Sequence, residues 1–351
     1  MGIHALLPLL KKKCPNVFKE IHISKYAYKK IAIDLSLYLC KYKTICGDRW
    51  ISAFLNLVMC LRKYDVHATF IYDTGAPPEK ELERAERRQH KENLENKWFL
   101  LNESLQEYYR TGEISENLIE LHNKKKEEEP RRFLSKKTNI DMNLVENAIN
   151  KIKGQIINIS PEDYKLTKRL FDILNVPYFQ APLEAETMCS DLCKRELVEA
   201  ALSEDSDVLA YGSPIFLSKL DTTTGNCIEI NYSEILDSLE FTSEQFLDLC
   251  IMCGCDYNKN IPRIGPAKSL KLIQDYNSIE NIKIKTDLDI SILNHIRGRE
   301  LFRNYNQADI ETTYCGVPNF EELQEFIVIN NINIRIETLR SAFINNITFE
   351  E

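Results

Sequence analysis

The sequence predicts an α/β fold with a mainly parallel sheet flanked by helices, and three observations favour it. Residues 30–36 (K-I-A-I-D-L-S) and 68–73 (A-T-F-I-Y-D) are short apolar runs typical of buried parallel strands, and each carries an aspartate at its carboxyl end. Residues 50–63 between them have helical spacing, and helices alternate with strands again after residue 161. Because open α/β sheets bind ligands beyond the carboxyl ends of their strands, we expect the functional residues there.

Composition is that of a folded domain with a substantial core, since 44% of the 351 residues are hydrophobic. The net charge of −8 argues mildly against nucleic-acid binding. The net charge averages over separate faces of the protein, so local clusters of charge are the better guide to nucleic-acid binding. No run approaches the roughly 18 apolar residues of a membrane span, and we expect no membrane association.

Cysteine usage favours an intracellular, reducing compartment. The chain has eleven cysteines, an odd number without framework spacing, and no apolar signal segment at its start. Cys250, Cys253 and Cys255 have a spacing that also occurs in zinc and iron–sulfur sites. They lie in an apolar run with no second pair nearby, which favours buried thiols.

Two short acidic motifs are candidates for metal binding. Glu184 and Glu186 lie in A-P-L-E-A-E, and Asp205 and Asp207 lie in S-E-D-S-D. Neighbouring carboxylates repel and raise each other's pKa unless a cation neutralises them. One such pair alone usually belongs to a solvated acidic surface. Two pairs together with strand-terminal aspartates indicate a metal site.

We divide the chain into four regions of one integrated core. An N-terminal α/β region (1–99) is followed by a charged insertion, helical or mobile (100–160). An internal α/β region (161–275) follows, and a helical extension (276–351) comes last. The charge run at 124–137 is either a solvated segment or a flexible cover over a site that becomes ordered when a polyanion binds. We expect a helix at 141–153.

Two basic features are candidates for phosphate contacts. Lys80, Arg84, Arg87, Arg88 and Lys91 recur every three or four residues along an expected helix. A solvated helix face with Glu–Arg pairs is the alternative. The second feature is the turn I-G-P-A-K at 264–268, which follows an expected helix at 241–253 and begins another helix. This turn is either a phosphate-binding site at a helix N-terminus or a simple connector.

Six motifs in order resemble the flap endonuclease family, which includes exonuclease 1 and the xeroderma-pigmentosum group G nuclease. They are M-G-I, I-D-L-S, I-Y-D-T-G-A-P-P with E-R-A-E-R-R, A-P-L-E-A-E, E-D-S-D-V-L-A-Y-G-S-P, and L-C-I-M-C-G-C-D-Y with I-G-P-A-K. The resemblance spans residues 1–275. It implies a PIN-like twisted sheet, a helical gateway in 100–160 and a helix–two-turn–helix element at 250–275.

The resemblance also implies chemistry: Mg²⁺-dependent cleavage of DNA at single-strand/double-strand junctions such as 5′ flaps, in replication, repair or recombination. Two Mg²⁺ ions, replaceable by Mn²⁺, and a monovalent cation at the helix–two-turn–helix are expected. The implied metal ligands are Asp34, Asp73, Glu184, Glu186, Asp205, Asp207 and Asp256. The implied catalytic cations are Lys80 and Arg84, and the implied DNA-binding residues are Gly2, Tyr38, Arg87, Arg88, Ile264, Gly265 and Lys268.

Other readings stay open at this stage. A mainly 5′→3′ double-strand exonuclease and a non-catalytic DNA-binding scaffold both fit the same motifs. Arg263 stands where the family's hairpin has a glycine, and Tyr38 stands near, not at, the position of its base-stacking aromatic. The C-terminus shows no sliding-clamp motif, so we expect a monomer that acts on branched or flapped DNA in the nucleus or at another site of DNA replication.

Overall fold

A seven-stranded mixed sheet forms the centre of the computed structural model, which describes residues 2–128 and 140–343. The strand order is β1-β7-β6-β5-β2-β3-β4, and the five strands from β6 to β4 are all parallel. The strands are β1 (Phe18–His22), β2 (Lys30–Asp34), β3 (His67–Tyr72), β4 (Tyr178–Gln180), β5 (Ala200–Leu202), β6 (Ile215–Ser218) and β7 (Asn226–Asn231). The predicted α/β class with a mainly parallel sheet is confirmed.

Helices cover both faces of this sheet. In chain order they are α1 (Leu6–Lys13), α2 (Leu35–Cys46), α3 (Trp50–Lys63), α4 (Glu81–Thr111), α5 (Glu116–Glu128), α6 (Met142–Gln155), α7 (Pro161–Leu174), α8 (Ala185–Lys194), α9 (Asp207–Ala210), α10 (Tyr232–Leu239), α11 (Ser243–Cys253), α12 (Pro266–Tyr276), α13 (Ile279–Lys285), α14 (His295–Arg303), α15 (Phe320–Ile329) and α16 (Ile336–Phe343). One apolar core includes residues of α1, α8 and α11, and a second includes α2, α3 and α7. Ala32 of β2 enters the first core and Ile31 and Ile33 enter the second, which is why the middle of the strand is apolar on both faces.

The stretch Leu35–Lys63 is long and apolar enough, by composition, to cross a membrane. In the fold it forms α2 and α3, and its largest side chains pack in the second core. Phe54, for example, contacts Phe70 of β3 and Phe171 of α7 edge to face. This stretch therefore has the burial expected of core helices.

Helices α4, α5 and α6 form a cap with a small core of its own. Leu105 of α4, Leu118 of α5 and Val145 of α6 are all buried in that core. The helix predicted at 141–153 is present as α6, with Asp141 capping its first turn through Asn143 and Leu144 N–H groups. The boundary predicted at residue 100 falls inside α4, and most of the charge run at 124–137 lies outside the described residues.

The element predicted at 250–275 consists of α11, a loop and α12. Thr242 and Gln245 form a capping box at the start of α11, as the sequence indicates. Cys250 and Cys253 are fully buried in the first core, which agrees with their interpretation as core thiols. Arg263 in the loop has a φ of 67°, the left-handed conformation that glycine adopts most readily.

Candidate metal and nucleic-acid site

The two strand-terminal aspartates lie side by side because their strands are parallel neighbours. Asp34 ends β2 and caps α2 by accepting the Leu37 N–H at 3.0 Å. Asp73 follows β3 and accepts the Ala185 N–H at 2.6 Å. This second bond links the end of β3 to the start of α8, which carries the first acidic pair.

The remaining predicted ligands come from three further places in the fold. Glu184 and Glu186 lie at the start of α8. Asp205 follows β5, and its Oδ1 accepts the N–H of Asp207, the first residue of α9, at 2.9 Å. Asp256 follows α11. The strand and helix ends that carry these residues all open toward the same edge of the sheet.

Six of these seven carboxylates line one open cleft of about 390 Å³, namely Asp34, Asp73, Glu184, Glu186, Asp205 and Asp256. Asp207 lies behind them. Its side chain has no exposed surface, and neither carboxylate oxygen has a hydrogen-bond partner within the structure. A buried, unpaired carboxylate is costly, so this position calls for a cation.

Lys80 supplies a positive charge at the centre of the cluster. Its Nζ lies 2.5 Å from Glu184 Oε1, 3.2 Å from Glu186 Oε1 and 3.2 Å from Asp256 Oδ2. Burial alone lowers the pKa of this lysine, but Glu186 and Glu184 outweigh burial and raise it. Lys80 is therefore charged, 5% exposed, and directed into the acidic cluster, whereas a phosphate contact had been expected of it.

Burial also perturbs the acids. It is the largest cause of the raised pKa of Asp34, where Asp73 adds to the effect, and of Asp207, where Asp205 adds to it. The pKa of Glu184 rises to about 7, with Glu186 raising and Lys80 opposing the shift. Burial followed by the charge of Glu186 raises the pKa values of Asp73 and Asp205 to about 6. The cluster thus disfavours full ionisation without further positive charge.

The chemistry of this cleft fits a hard divalent cation. Its donors are carboxylate oxygens, the ligand type that Mg²⁺ and Mn²⁺ prefer. Within residues 2–128 and 140–343, no three acidic, histidine or cysteine side chains stand at distances that already define a metal site. The Lys80 ammonium bridges Glu184, Glu186 and Asp256 instead. The fit therefore rests on the excess of negative charge and on the unpaired oxygens of Asp207.

The arginines of α4 differ in their relation to the cleft. Arg84 lines it and is exposed, and its Nη1 approaches a carboxylate only at 3.9 Å, in Glu81. Arg87 also lines it, with Nη2 3.5 Å from Asp256 Oδ2. Arg88 pairs with Glu81 and is not among the lining residues of the cleft. Of the two arginines that line the cleft, Arg84 thus has the weaker carboxylate contacts, since Arg87 pairs with both Glu83 and Asp256.

Gly2 lies against the cleft. Its φ is +81°, and a Cβ at this position would stand 2.0 Å from Asp205 Oδ1. A glycine is therefore required there, because any side chain would displace the carboxylate. The backbone at the start of the chain is thereby held beside the acidic cluster.

The prediction that Tyr38 contacts DNA is wrong. Its side chain is 1% exposed and lies in the second core, because the first turn of α2 directs it under the sheet edge. An aromatic ring that sequence reasoning missed lines the cleft instead: Tyr164 of α7. Tyr257 was also missed, and its hydroxyl donates to Glu184 Oε2 at 3.1 Å. Tyr164 belongs to no acidic or basic motif, whereas Tyr257 directly follows Asp256 in the motif L-C-I-M-C-G-C-D-Y.

The residues of the predicted hairpin lie at the start of α12. Gly265 is its N-cap, and no atom lies within 4 Å of the place where a Cβ would be. Lys268 is exposed, and its Nζ donates to the Arg263 carbonyl at 3.1 Å. Ile264 is partly buried against the first core. The open backbone at Gly265 leaves room for close approach of a ligand to the helix N-terminus.

Comparison with known proteins covers the whole chain. Residues 1–94 match the XPG N-terminal domain, and residues 175–256 match the XPG I-region. The two matched segments contain all seven clustered carboxylates together with Lys80 and Arg84.

Two relatives and one solved structure show how far the similarity extends. A probable RAD2-like endonuclease of Invertebrate iridescent virus 6 is 34% identical, covering 98% of this chain and 92% of the relative. Flap endonuclease 1-A of Sorghum bicolor is 29% identical, covering 97% and 87%. The catalytic core of Rad2 in complex with DNA substrate superposes with a TM-score of 0.66 at 17% identity, covering 97% and 98%.

Proposed function

Because the chain belongs to the family of RAD2-like endonucleases, which carry the XPG N-terminal domain and I-region, we propose that it is a structure-specific 5′ nuclease. Its substrate is DNA at single-strand/double-strand junctions, with 5′ flaps as the preferred form. Divalent-metal dependence is general in this family. The finer proposal is that two Mg²⁺ ions serve here and that Mn²⁺ substitutes for them.

The observation that carries this proposal is the acidic cluster beneath the cap. Six carboxylates line one cleft, and a seventh lies behind it without a partner. Asp34, Asp73, Glu184, Glu186, Asp205, Asp207 and Asp256 are the side chains that would hold the ions, directly or through water. When bound, such a pair of ions supplies an activated water and stabilises the leaving oxygen of a phosphodiester.

The residues of the chain have separate tasks in this scheme. Arg84 and Arg87 line the cleft from the base of α4 and neutralise phosphate charge there. Lys80 lies among Glu184, Glu186 and Asp256, and its ammonium bridges the three carboxylates and offsets their repulsion. Its ammonium must leave at least one of these contacts before it can bind a phosphate. We therefore propose that Lys80 orients the acidic cluster and that Arg84 makes the first phosphate contact.

DNA-binding roles for other predicted residues follow from their positions. The exposed backbone at Gly265 and the side chain of Lys268 provide a contact to the duplex strand. We propose a monovalent cation at this loop, as the family resemblance implies. The base of α4 lines the cleft through Arg84 and Arg87, and we propose that the cap formed by α4, α5 and α6 guides a single-stranded 5′ end.

Cellular setting and assembly are part of the proposal. All eleven cysteines are free thiols, which supports a reducing compartment. We propose a monomer that works where DNA is replicated or repaired.

A cleavage assay tests this function. The purified protein is incubated with end-labelled 5′-flap, gapped, recessed-end and intact duplexes, with Mg²⁺, with Mn²⁺ or with EDTA. We expect incision at the flap junction with either metal and no cleavage with EDTA. Stepwise shortening of the recessed end without flap incision would identify an exonuclease. Tight flap binding without cleavage under every metal condition would identify a scaffold.

A further inference from the structure

The C-terminal part of the chain reaches the candidate site through Phe302, which packs on Tyr257, and through an ion pair of Arg297. Arg297 of α14 donates from Nε to Glu79 Oε1 at 2.7 Å. Its Nη1 donates to Glu300 Oε2 at 3.0 Å, which holds the guanidinium along its own helix. Glu79 lies in the short 3₁₀ turn Pro78–Lys80 and directly precedes Lys80. A residue about 220 positions later in the sequence thus holds the turn that delivers Lys80 to the acidic cluster.

Apolar packing covers one end of this turn, where Pro77 is buried, and leaves Pro78 exposed. A cavity of about 200 Å³ lies between the turn and α14, with Pro77, Pro78 and Glu79 on one wall and Arg297 and Leu301 on the other. Packed side chains would normally fill such a space. Because they do not, the Arg297–Glu79 pair is the direct bond that bridges the two walls.

The base of α4 is held in the same polar manner. The buried residues of this helix, Leu101 and Leu105, lie in its distal half and belong to the core of the cap. Near the base Leu82 is 64% exposed. Glu86 pairs with Lys259 of the α11–α12 loop at 2.6 Å, and Arg87 approaches Asp256. Charged contacts with the C-terminal half of the chain therefore set the direction in which α4 leaves the site.

We propose that Arg297 is a positioning residue: through Glu79 it holds the turn that places Lys80 among the carboxylates. The kinetic part of this proposal rests on the proposed nuclease function, whereas the positional part does not. Misplacing a catalytic group by about 1 Å lowers a rate by up to about 100-fold. Arg297 touches no carboxylate of the cluster, so its loss should act on turnover and leave substrate affinity nearly unchanged.

The same helix offers a matched control. Arg303 of α14 pairs with Glu244 at 3.1 Å, and its side chain is 43% exposed against 47% for Arg297. Glu244 lies at the start of α11 and is not a lining residue of the acidic cleft. Exposed ion pairs contribute little to stability on average. Arg303→Gln therefore controls for the loss of an arginine from α14, whereas the two acids differ in exposure, 22% for Glu79 and 74% for Glu244.

The kinetic experiment compares Arg297→Gln, Glu79→Gln, the double variant and Arg303→Gln on the flap substrate. We expect Arg297→Gln to lower kcat by about 5- to 20-fold with KM changed by less than twofold. The double variant should be no slower than the slower single variant, because both changes break one contact. Arg297→Lys should recover most of the lost turnover, and Arg303→Gln should match wild type.

A second measurement needs no activity. Hydrogen exchange of the backbone amides of residues 80–85 reports how firmly the turn and the base of α4 are held. We expect Arg297→Gln to raise exchange there at least threefold and Arg303→Gln to leave it unchanged. Equal exchange in the two variants would overturn the proposal, as would a loss of flap affinity at unchanged kcat. An inactive wild-type protein would refute the nuclease function instead, and the exchange comparison would still decide the role of Arg297.

Discussion

Replacing Lys80 by methionine removes the buried positive charge from the acidic cluster without opening a large void. In the absence of metal we expect this change to lower the free energy of unfolding by about 3 kcal/mol. The ammonium makes one contact of 2.5 Å and two of 3.2 Å with carboxylates. Removing one partner of a buried pair costs about 3–5 kcal/mol. We expect the lower end of this energy range, because the carboxylates have raised pKa values and take up protons when the lysine is absent.

Urea denaturation followed by tryptophan fluorescence measures this loss, with EDTA or with excess Mg²⁺. We expect Mg²⁺ to stabilise Lys80→Met more than wild type, because a bound cation replaces the missing charge. Lys165→Met is the matched control, since Lys165 is an exposed residue of α7 that approaches Glu162 at 3.6 Å. Its effect should stay within about 0.5 kcal/mol. Equal stability of Lys80→Met and wild type in EDTA would refute the electrostatic account of the cluster.

Three further predictions concern the surrounding fold. Arg263→Gly should raise the free energy of unfolding by about 1 kcal/mol, because glycine adopts a φ of 67° without strain. Arg299→Met should lower it by about 3–5 kcal/mol, because Arg299 pairs through Nε and Nη2, each at 2.6 Å, with the buried carboxylate of Asp248. Burial lowers the pKa of His67 to about 4, and its Nδ1 accepts the Cys315 N–H. The cost of protonating His67 in the folded protein should therefore lower the free energy of unfolding by about 1–2 kcal/mol as pH falls from about 6.5 to 4. His67→Gln should remove that pH dependence.

The urea denaturation midpoints of the three variants and of wild type test these three predictions. An Arg263→Gly protein less stable than wild type would show that the arginine side chain contributes more than its backbone costs. An Arg299→Met protein of unchanged stability would contradict the buried pair. The unfolded chain binds the His67 proton below about pH 6.5 while the folded one does not, so the stability of wild type must rise with pH over that window. An equal rise in His67→Gln would assign it to other groups.

The sequence predicted the acidic site well because topology determines it. Asp34 and Asp73 end parallel strands that pair directly, so their side chains had to meet at one edge of the sheet. The acidic pair at the start of α8 was found for a similar reason, since Asp73 bonds to the first residue of that helix. Strand ends and helix starts are local features that a sequence shows clearly.

Other features of the site were harder to predict, because they depend on the direction in which a helix points a side chain or on the residue at which the helix begins. Tyr38 follows Asp34 by one turn, and only packing against the sheet decided that its ring is buried. Lys80 was grouped with the basic residues of α4, but it lies in the turn before that helix, so its side chain points into the cluster and not along the stripe. Tyr164 and Tyr257 carry no charge pattern, and their placement beside the cleft could not be predicted from spacing.

The measurement that tests the central claim most directly is flap cleavage by Asp207→Asn. This substitution keeps the shape of the side chain and removes the charge from the two unpaired, buried oxygens. We predict at least about a 100-fold loss of cleavage at saturating Mg²⁺, with affinity for the flap DNA within about threefold of wild type. Asp172→Asn, an exposed carboxylate that accepts a hydrogen bond from Tyr178, should cleave normally. Undiminished cleavage by Asp207→Asn would contradict the assignment of the acidic cluster as the catalytic metal site.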